Sequence, residues 1–177
     1  MIIPAYNEEE SILNTVMSIV EYRKKVDFDL DYVVINDGSV DRTKEILDSH
    51  HLNAIHLVMN LGIGGAVQTG YKYALEKDYD VAVQFDGDGQ HDIESLDALL
   101  EPIRRQQADL VVGSRFIGDK SSEFQTTFMR RFGITIISAF IKLTTGKRIL
   151  DTTSGYRLAN RDIIRQFAAR YPIKYPE

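Results

Sequence analysis

Apolar runs of strand length alternate with helical patterns through the first two thirds of the chain. The strand-like runs lie at residues 2–3, 32–36, 54–58, 81–85 and 110–112. Alternation of this kind is typical of a mostly parallel sheet whose strands are joined by crossover helices. We therefore predict an α/β fold with four helices in this part of the chain. They cover residues 8–22, a segment from about residue 43 onward, a segment that follows residues 60–65 and ends at about residue 76, and residues 93–106.

Composition narrows the class of protein. The chain has 177 residues, with 44% hydrophobic and 27% charged residues, as in ordinary soluble domains. A net charge of −5 argues against a nucleic-acid partner. Cysteine is absent, which excludes disulfides and thiolate metal sites. We expect a cytoplasmic protein, because no signal-peptide pattern opens the chain and no apolar run approaches the roughly 20 residues of a membrane span.

Both ends of the sequence read as interrupted. Residues 1–3 look like the tail of a strand, and residues 171–177 stop without a closing element. We therefore expect a single domain over residues 1–177 that continues beyond both ends. The sequence does not decide whether the protein forms an oligomer.

The strand at residues 81–85 runs directly into a cluster of polar side chains. They stand at alternate positions: Asp86, Asp88, Gln90 and Asp92. Alternation places them on one side of an extended segment, where carboxylates repel each other unless a cation lies between them. A divalent metal with oxygen ligands is the simplest explanation. An EF-hand is excluded because a strand precedes the segment and His91 stands where glycine is required. A zinc site is not expected because His91 has no cysteine or histidine nearby.

Polar residues also follow other strands. Four of the five predicted strands end in this way, at residues 6–8, 36–38, 86–88 and 114–115. Because ligands bind beyond the carboxyl ends of the strands in open α/β sheets, we expect one site at this edge.

The glycine-rich stretch at residues 60–70 fits neither common nucleotide-binding motif. Val67 stands where the Rossmann spacing needs glycine or alanine, and Tyr71 stands where a phosphate loop needs lysine. Gly62 and Gly64 can still admit a ligand close to a helix N-terminus. For Gly70, tight packing of a helix on a strand is an equally good explanation.

The later part of the chain changes character. Residues 111–150 contain seven basic and two acidic side chains, so this basic segment carries +5 and the remainder −10. Residues 126–143 have the apolar spacing of a long helix. A basic segment beside an apolar helix suits an anionic lipid head group at a membrane surface. Residues 151–157 follow, and by themselves are also compatible with a surface turn in which Asp151 caps the next element.

Six motifs occur together in order. They are IIPAYNEE at 2–9, VINDGSVDRT at 34–43, NLGIG at 60–64, FDGDGQH at 85–91, VGSRF at 112–116 and DTTSGYR at 151–157. In this the chain resembles the family 2 glycosyltransferases, above all the dolichol-phosphate mannosyltransferase group and the bacterial enzymes that glycosylate polyprenyl phosphates. The resemblance implies the GT-A nucleotide-diphospho-sugar transferase fold, a Rossmann-like, mostly parallel sheet flanked by helices. In that family the catalytic domain runs past residue 177.

The resemblance also implies roles for individual residues in binding a UDP- or GDP-sugar. The positions that match the nucleotide-sugar site are Pro4, Tyr6, Glu8, Asp37, Gly64, Asp86 and Gly87. Those that match the metal site, for Mg²⁺ or Mn²⁺, are Asp86, Asp88 and Gln90. A metal there would hold the diphosphate and neutralise its developing charge, which gives Asp88 a catalytic role.

On the acceptor side, Asp151 resembles the aspartate proposed as the catalytic base of the family. Arg115, Arg130 and Arg131 are candidates for contact with the acceptor phosphate, although each is also compatible with a solvated surface. We predict an inverting, metal-dependent glycosyltransferase of cell-envelope biogenesis, acting on a polyprenyl phosphate, with peripheral contact at the cytoplasmic face of the membrane. Two alternatives stay open: transfer to a sugar hydroxyl of a glycan, and a catalytically silent nucleotide-binding module.

Overall fold

The computed structural model describes residues 1–86, 93–113 and 156–171. The chain divides into two compact units, the first formed by Met1–Val111 with Tyr156–Glu177 and the second by Val112–Gly155. Nearly all of the second unit, including the helix predicted over 126–143, lies outside the described residues. The prediction of a single domain over residues 1–177 stays a prediction.

Six strands and five helices are present in the described part of the chain. The strands are β1 (Ile2–Ala5), β2 (Val33–Asn36), β3 (Ala54–His56), β4 (Val81–Gln84), β5 (Leu110–Val112) and β6 (Arg157–Asn160). The helices are α1 (Ile12–Arg23), α2 (Thr43–Ser49), α3 (Gly62–Glu76), α4 (Leu96–Arg104) and α5 (Arg161–Ala169). A short 3₁₀ turn, Ile93–Ser95, precedes α4.

The strands form one sheet in the order β3-β2-β1-β4-β6-β5. The pairs β1–β2, β2–β3 and β1–β4 are parallel, and β6 runs antiparallel to β4. The predicted α/β class with a mostly parallel sheet is therefore confirmed. All five predicted strands are present, whereas β6 and α5 were not predicted.

Both faces of the sheet are buried, as expected for parallel strands that are covered by helices on each side. On one face Ile3 and Val34 pack with residues of α1, α2 and α4. On the other, Ile2 and Ile35 pack with residues of α3 and α5. Gly70 allows α3 to approach this second face, because a Cβ at this position would lie 2.1 Å from Cγ2 of Ile2. Close helix–strand packing is thus the reason for this glycine.

The unpredicted element α5 begins with a side-chain cap. Oδ1 of Asn160 accepts hydrogen bonds from the backbone N–H groups of Asp162 and Ile163, each at 3.1 Å. Phe167 of α5 packs edge-on against Tyr71 of α3, with ring centroids 5.1 Å apart. Within the described ranges, no helix is long and apolar enough to cross a membrane.

Candidate active site

A cavity of about 320 Å³ opens at the carboxyl end of the parallel strands. It is lined by the end of β1, by residues that follow β1, β2, β3 and β4, and by the start of α3: Pro4, Ala5, Tyr6, Glu8, Asp37, Asn60, Gly62, Ile63, Ala66 and Asp86. The parallel order of the strands brings these ends to one edge. The fourth polar strand end, at residues 114–115, lies outside the described residues.

The loop between β1 and α1 is held by side chains of the next crossover. Three consecutive backbone N–H groups, those of Asn7, Glu8 and Glu9, donate hydrogen bonds to the turn between β2 and α2. The acceptors are, in that order, Ser39 Oγ at 3.0 Å, Thr43 Oγ1 at 2.8 Å and Asp41 Oδ2 at 3.1 Å. The segment before α1 is thus tied to this turn, and α1 begins at Ile12 rather than at Glu8 as predicted.

Two further hydrogen bonds run in the opposite direction. The backbone N–H of Val40 donates to Oδ1 of Asn7, and that of Arg42 donates to Oε2 of Glu9, both at 2.9 Å. Asn7 has a φ of 57°, a left-handed conformation that asparagine tolerates better than most residues. The loop and the turn are thus interlocked by five hydrogen bonds.

One acid of this turn is bonded to the start of α2. Asp41 Oδ1 accepts a hydrogen bond at 3.0 Å from the N–H of Thr43, the first residue of α2. Burial raises the pKa of the Asp41 carboxyl, but the hydrogen bonds from Thr43 and from the backbone outweigh it and hold that pKa below its usual value. Asp41 is therefore an ionised acceptor at neutral pH.

The same turn also contacts the loop between β3 and α3. Asp37 is 3% exposed, and its Oδ1 accepts a hydrogen bond at 2.7 Å from the N–H of Leu61. Gly38 has a φ of +68°, and a Cβ at this position would lie 2.8 Å from the backbone N of Asn60. Only glycine combines this conformation with such a close approach. The turn at residues 37–43 therefore holds both loops that border the cavity.

The start of α3 forms one wall of the cavity. Gly62 has a φ of +76° with open space where a side chain would stand, and its N–H donates to Oδ1 of Asn60 at 2.8 Å. Gly64, which the sequence places in the nucleotide-sugar site, is buried in the first turn and is not among the lining residues. Ile63 and Ala66 line the wall instead, and their spacing of three is the helical signal that identifies them.

Five of the predicted site residues come together on this cavity: Pro4, Tyr6, Glu8, Asp37 and Asp86. Tyr6 lies at the mouth with 46% of its surface exposed. Gly64 does not line the cavity, and the remaining predicted residues fall outside the described part of the chain: Gly87, Asp88, Gln90, Arg115, Arg130, Arg131 and Asp151. Their roles stay predictions.

Three carboxylates, those of Glu8, Asp37 and Asp86, border one cavity. Glu8 Oε2 accepts a hydrogen bond from the Ser11 hydroxyl at 2.5 Å. Neither Glu8 nor Asp37 forms an ion pair with any described residue. The described residues contain no group of three possible metal ligands. Asp86 offers the oxygen donor that Mg²⁺ and Mn²⁺ prefer, and the other two predicted ligands, Asp88 and Gln90, lie outside the described residues.

Comparison with known proteins agrees with this geometry. The model of the family described as glycosyl transferase family 2 matches residues 1–167. The chain is 35% identical over 170 residues to an undecaprenyl-phosphate mannosyltransferase of Micrococcus luteus, covering 93% of this chain and 67% of the relative. It is 31% identical over 183 residues to a UDP-N-acetylglucosamine–dolichyl-phosphate N-acetylglucosaminyltransferase of Methanococcus voltae, covering 93% and 70%.

A solved structure shows the same fold. The glucosyl-3-phosphoglycerate synthase of Mycobacterium tuberculosis, in complex with Mn²⁺, UDP-glucose and phosphoglyceric acid, superimposes with a TM-score of 0.64 at 20% identity. The match covers 92% of this chain and 56% of that protein, so the chain spans 56% to 70% of the length of the three proteins described here. The predicted GT-A fold is confirmed. On the family match and the named relatives, this chain belongs to glycosyl transferase family 2, and the prediction of a glycosyltransferase is confirmed at that level.

Proposed function

We propose that this chain forms the catalytic domain of an inverting, metal-dependent glycosyltransferase that moves a sugar from a UDP- or GDP-sugar to a polyprenyl phosphate. The observation that carries the proposal is the cavity at the carboxyl end of the sheet, bordered by three carboxylates of which Glu8 and Asp37 have no cationic partner among the described residues. Such a cavity repels a diphosphate unless a cation binds with it.

The nucleotide would be held by the loop after β1 and by Asp37. Pro4 and Tyr6 offer flat surfaces at the cavity wall, and Glu8 and Asp37 offer carboxylate oxygens. A carboxylate accepts a hydrogen bond, and both uracil and guanine present an N–H donor. Asp37 Oδ1 is already bonded to the Leu61 amide, which leaves Oδ2 as the oxygen for the base. In this proposal Glu8 accepts from a ribose hydroxyl.

The metal would be held by Asp86, Asp88 and Gln90. When bound, Mg²⁺ or Mn²⁺ offsets the negative charge that develops on the departing diphosphate. Asp86 is the described member of this set and lies on the cavity wall, directly after β4. The presence of Mn²⁺ and UDP-glucose in the mycobacterial structure supports the pairing of a metal with a nucleotide sugar in this fold.

Transfer would occur by a single displacement. An oxygen of the acceptor phosphate forms a bond to the anomeric carbon, and the bond from that carbon to the diphosphate breaks, with its electron pair leaving on the nucleotide. A phosphate is already ionised and needs orientation more than deprotonation. We assign that orientation to Arg115, Arg130 and Arg131, with Asp151 positioned beside the reacting groups.

Two observations favour a lipid phosphate over a sugar hydroxyl as the acceptor. The relatives described above are named for undecaprenyl and dolichyl phosphates. The basic segment at residues 111–150 has the charge that a phosphate acceptor requires. An enzyme with a lipid acceptor must act at a membrane surface, and we propose that this protein makes peripheral contact with the cytoplasmic face of the membrane.

Transfer of labelled sugar from UDP- and GDP-sugars tests the proposal, with undecaprenyl phosphate and a free glycan as competing acceptors and with Mn²⁺ or a chelator. We expect a lipid-linked product that requires the metal and is lost in Asp88→Ala. Asp97→Ala is the matched control, because Asp97 is an exposed aspartate on α4 outside the cavity. Transfer to the glycan alone would favour the sugar-hydroxyl alternative. Nucleotide binding without any transfer would favour the silent module, and full activity of Asp88→Ala would refute the metal site.

A further inference from the structure

We propose that Thr43 and Asp41 are positioning residues for the nucleotide-sugar site, acting through the backbone of Glu8 and Glu9. The inference rests on the proposed function and extends it to a turn whose side chains at these two positions do not line the cavity. Its structural basis is the interlock between the loop after β1 and the turn at residues 37–43.

The conformation of the loop depends on side chains that lie more than 30 positions away in the sequence. The N–H of Glu8 donates to Thr43 Oγ1 at 2.8 Å, across a separation of 35 residues. The N–H of Glu9 donates to Asp41 Oδ2 at 3.1 Å, across 32 residues. Backbone donors of this kind require a partner when water cannot reach them. The side chains of the turn therefore determine the path that the loop takes.

Thr43 is the central contact of this interlock. It is fully buried, at 0% exposed, so water cannot readily replace its hydroxyl as the acceptor for the Glu8 amide. The carbonyl of Glu8 in turn accepts from the N–H groups of Ser11 and Ile12, at 3.1 and 2.9 Å. The backbone of Glu8 is thus held on both sides, and the direction of its side chain at the cavity follows from these bonds.

The turn at residues 37–43 also holds the loop on the opposite side of the cavity. Asp37 holds the Leu61 amide, and Gly38 packs against the backbone of Asn60. One short turn therefore contacts the loop that carries Tyr6 and Glu8 and the loop that leads to Gly62 and Ile63. The width of the cavity between the two loops is set by this turn, and loss of one contact should change nucleotide affinity before it changes the fold.

Isothermal titration with UDP and with GDP in Mn²⁺, together with thermal unfolding, tests the inference on three threonine variants. Thr43→Val keeps the shape of the side chain but removes the acceptor, and we expect affinity for the preferred nucleotide to fall about tenfold. Thr43→Ser restores a hydroxyl and should restore affinity. Thr15→Val is the matched control, since Thr15 is also buried, on α1, and takes part in none of the five interlocking bonds.

Donor kinetics separate positioning from general damage. Thr43→Val should raise the KM for the nucleotide sugar and leave kcat unchanged, whereas partial unfolding would lower the active fraction and thus kcat. Should Thr43→Val not fold, Asp41→Asn replaces it, because an amide nitrogen cannot accept from the Glu9 amide; we then expect a loss of about threefold.

The outcomes distinguish the inference from the function on which it rests. Equal nucleotide affinity in wild type and Thr43→Val, or a loss that Thr43→Ser does not restore, would overturn the inference alone. A fall as large in Thr15→Val would also overturn it. If the wild-type protein binds neither nucleotide with Mn²⁺, the proposed function fails and the inference fails with it.

Discussion

The acidic residues at the two ends of the sheet have different partners. At the amino end, Asp31 precedes β2, and its carboxylate contacts Nη1 of Arg23 at 3.2 Å and accepts from the Tyr79 hydroxyl at 2.9 Å. Asp78 and Asp80 precede β4, and both pair with Arg161 at the start of α5. These acids are neutralised by arginines and join neighbouring elements of the fold.

At the carboxyl end, two acids accept hydrogen bonds from neutral donors instead. Glu8 accepts from a serine hydroxyl and Asp37 from a backbone amide, and neither has an arginine, lysine or histidine partner in the described part of the chain. Uncompensated charge is tolerated where function requires it, at a cost in stability. The comparison teaches that the amino-end acids are paired within the fold, whereas Glu8 and Asp37 keep their charge at the cavity where we propose that the nucleotide binds.

The sharpest way to break this comparison is to remove one charge at the cavity while keeping its shape. Asp37→Asn retains an oxygen for the Leu61 amide, so we expect the free energy of unfolding not to fall. Nucleotide affinity in Mn²⁺ should fall at least tenfold, about 1.4 kcal/mol, because an amide nitrogen cannot accept from a base N–H. Calorimetric titration and urea unfolding measure the two quantities. A loss of stability with unchanged affinity would group Asp37 with the amino-end acids.

The matched substitution at the other end should give the opposite result. Asp31→Asn removes the ion pair with Arg23 and weakens the bond from Tyr79. We expect the free energy of unfolding to fall by about 1 kcal/mol, since the Asp31 side chain is 45% exposed and its ion pair is screened by solvent. Nucleotide affinity should not change. If Asp31→Asn weakens nucleotide binding, the division of roles between the two ends is wrong.

The smallest expected effect concerns alkaline pH. Burial, followed by the hydrogen bond to Asp31, raises the pKa of Tyr79 to about 12 from the ordinary value of 10.0. A group whose pKa is higher in the folded protein contributes stability below its unfolded pKa and loses it as the pH rises through the folded pKa. Tyr79→Phe should therefore be about 0.5 kcal/mol less stable than wild type at neutral pH. That difference should disappear between pH 10 and 12 in urea unfolding; a constant difference would contradict the bond.

Strands β1, β2 and β4 could be predicted because each is a largely buried apolar run, and burial of this kind is visible in the sequence. The start of α1 could not, because the glutamates from residue 8 onward favour a helix, whereas the contacts of this loop with Thr43 and Asp41 are tertiary. Strand β6 has four residues and depends on its pairing with β4, which is a tertiary contact. Helix α5 did have a local signal, the cap at Asn160.

The residues of the candidate site also divide into those that the sequence identified and those that it did not. Pro4, Tyr6, Glu8, Asp37 and Asp86 were identified by motifs that directly follow strands. Asn60 was missed because its position depends on how one loop folds against the turn after β2, whereas Ile63 and Ala66 were missed although their helical spacing was a signal. The interlock between the loop after β1 and the turn at residues 37–43 was also missed, because the residues joined by its five hydrogen bonds stand 32 to 35 positions apart.

The strand order has a consequence for how such a site can change. The chain winds outward from β1 to β2 and β3, then returns past β1 to β4 and goes on to β5 at the opposite edge of the sheet. The connections that leave β1 and β4 therefore lead toward opposite edges of the sheet. A crevice opens between them whatever side chains they carry. Connectivity provides the opening, and substitutions in the surrounding loops can alter what enters it without moving it.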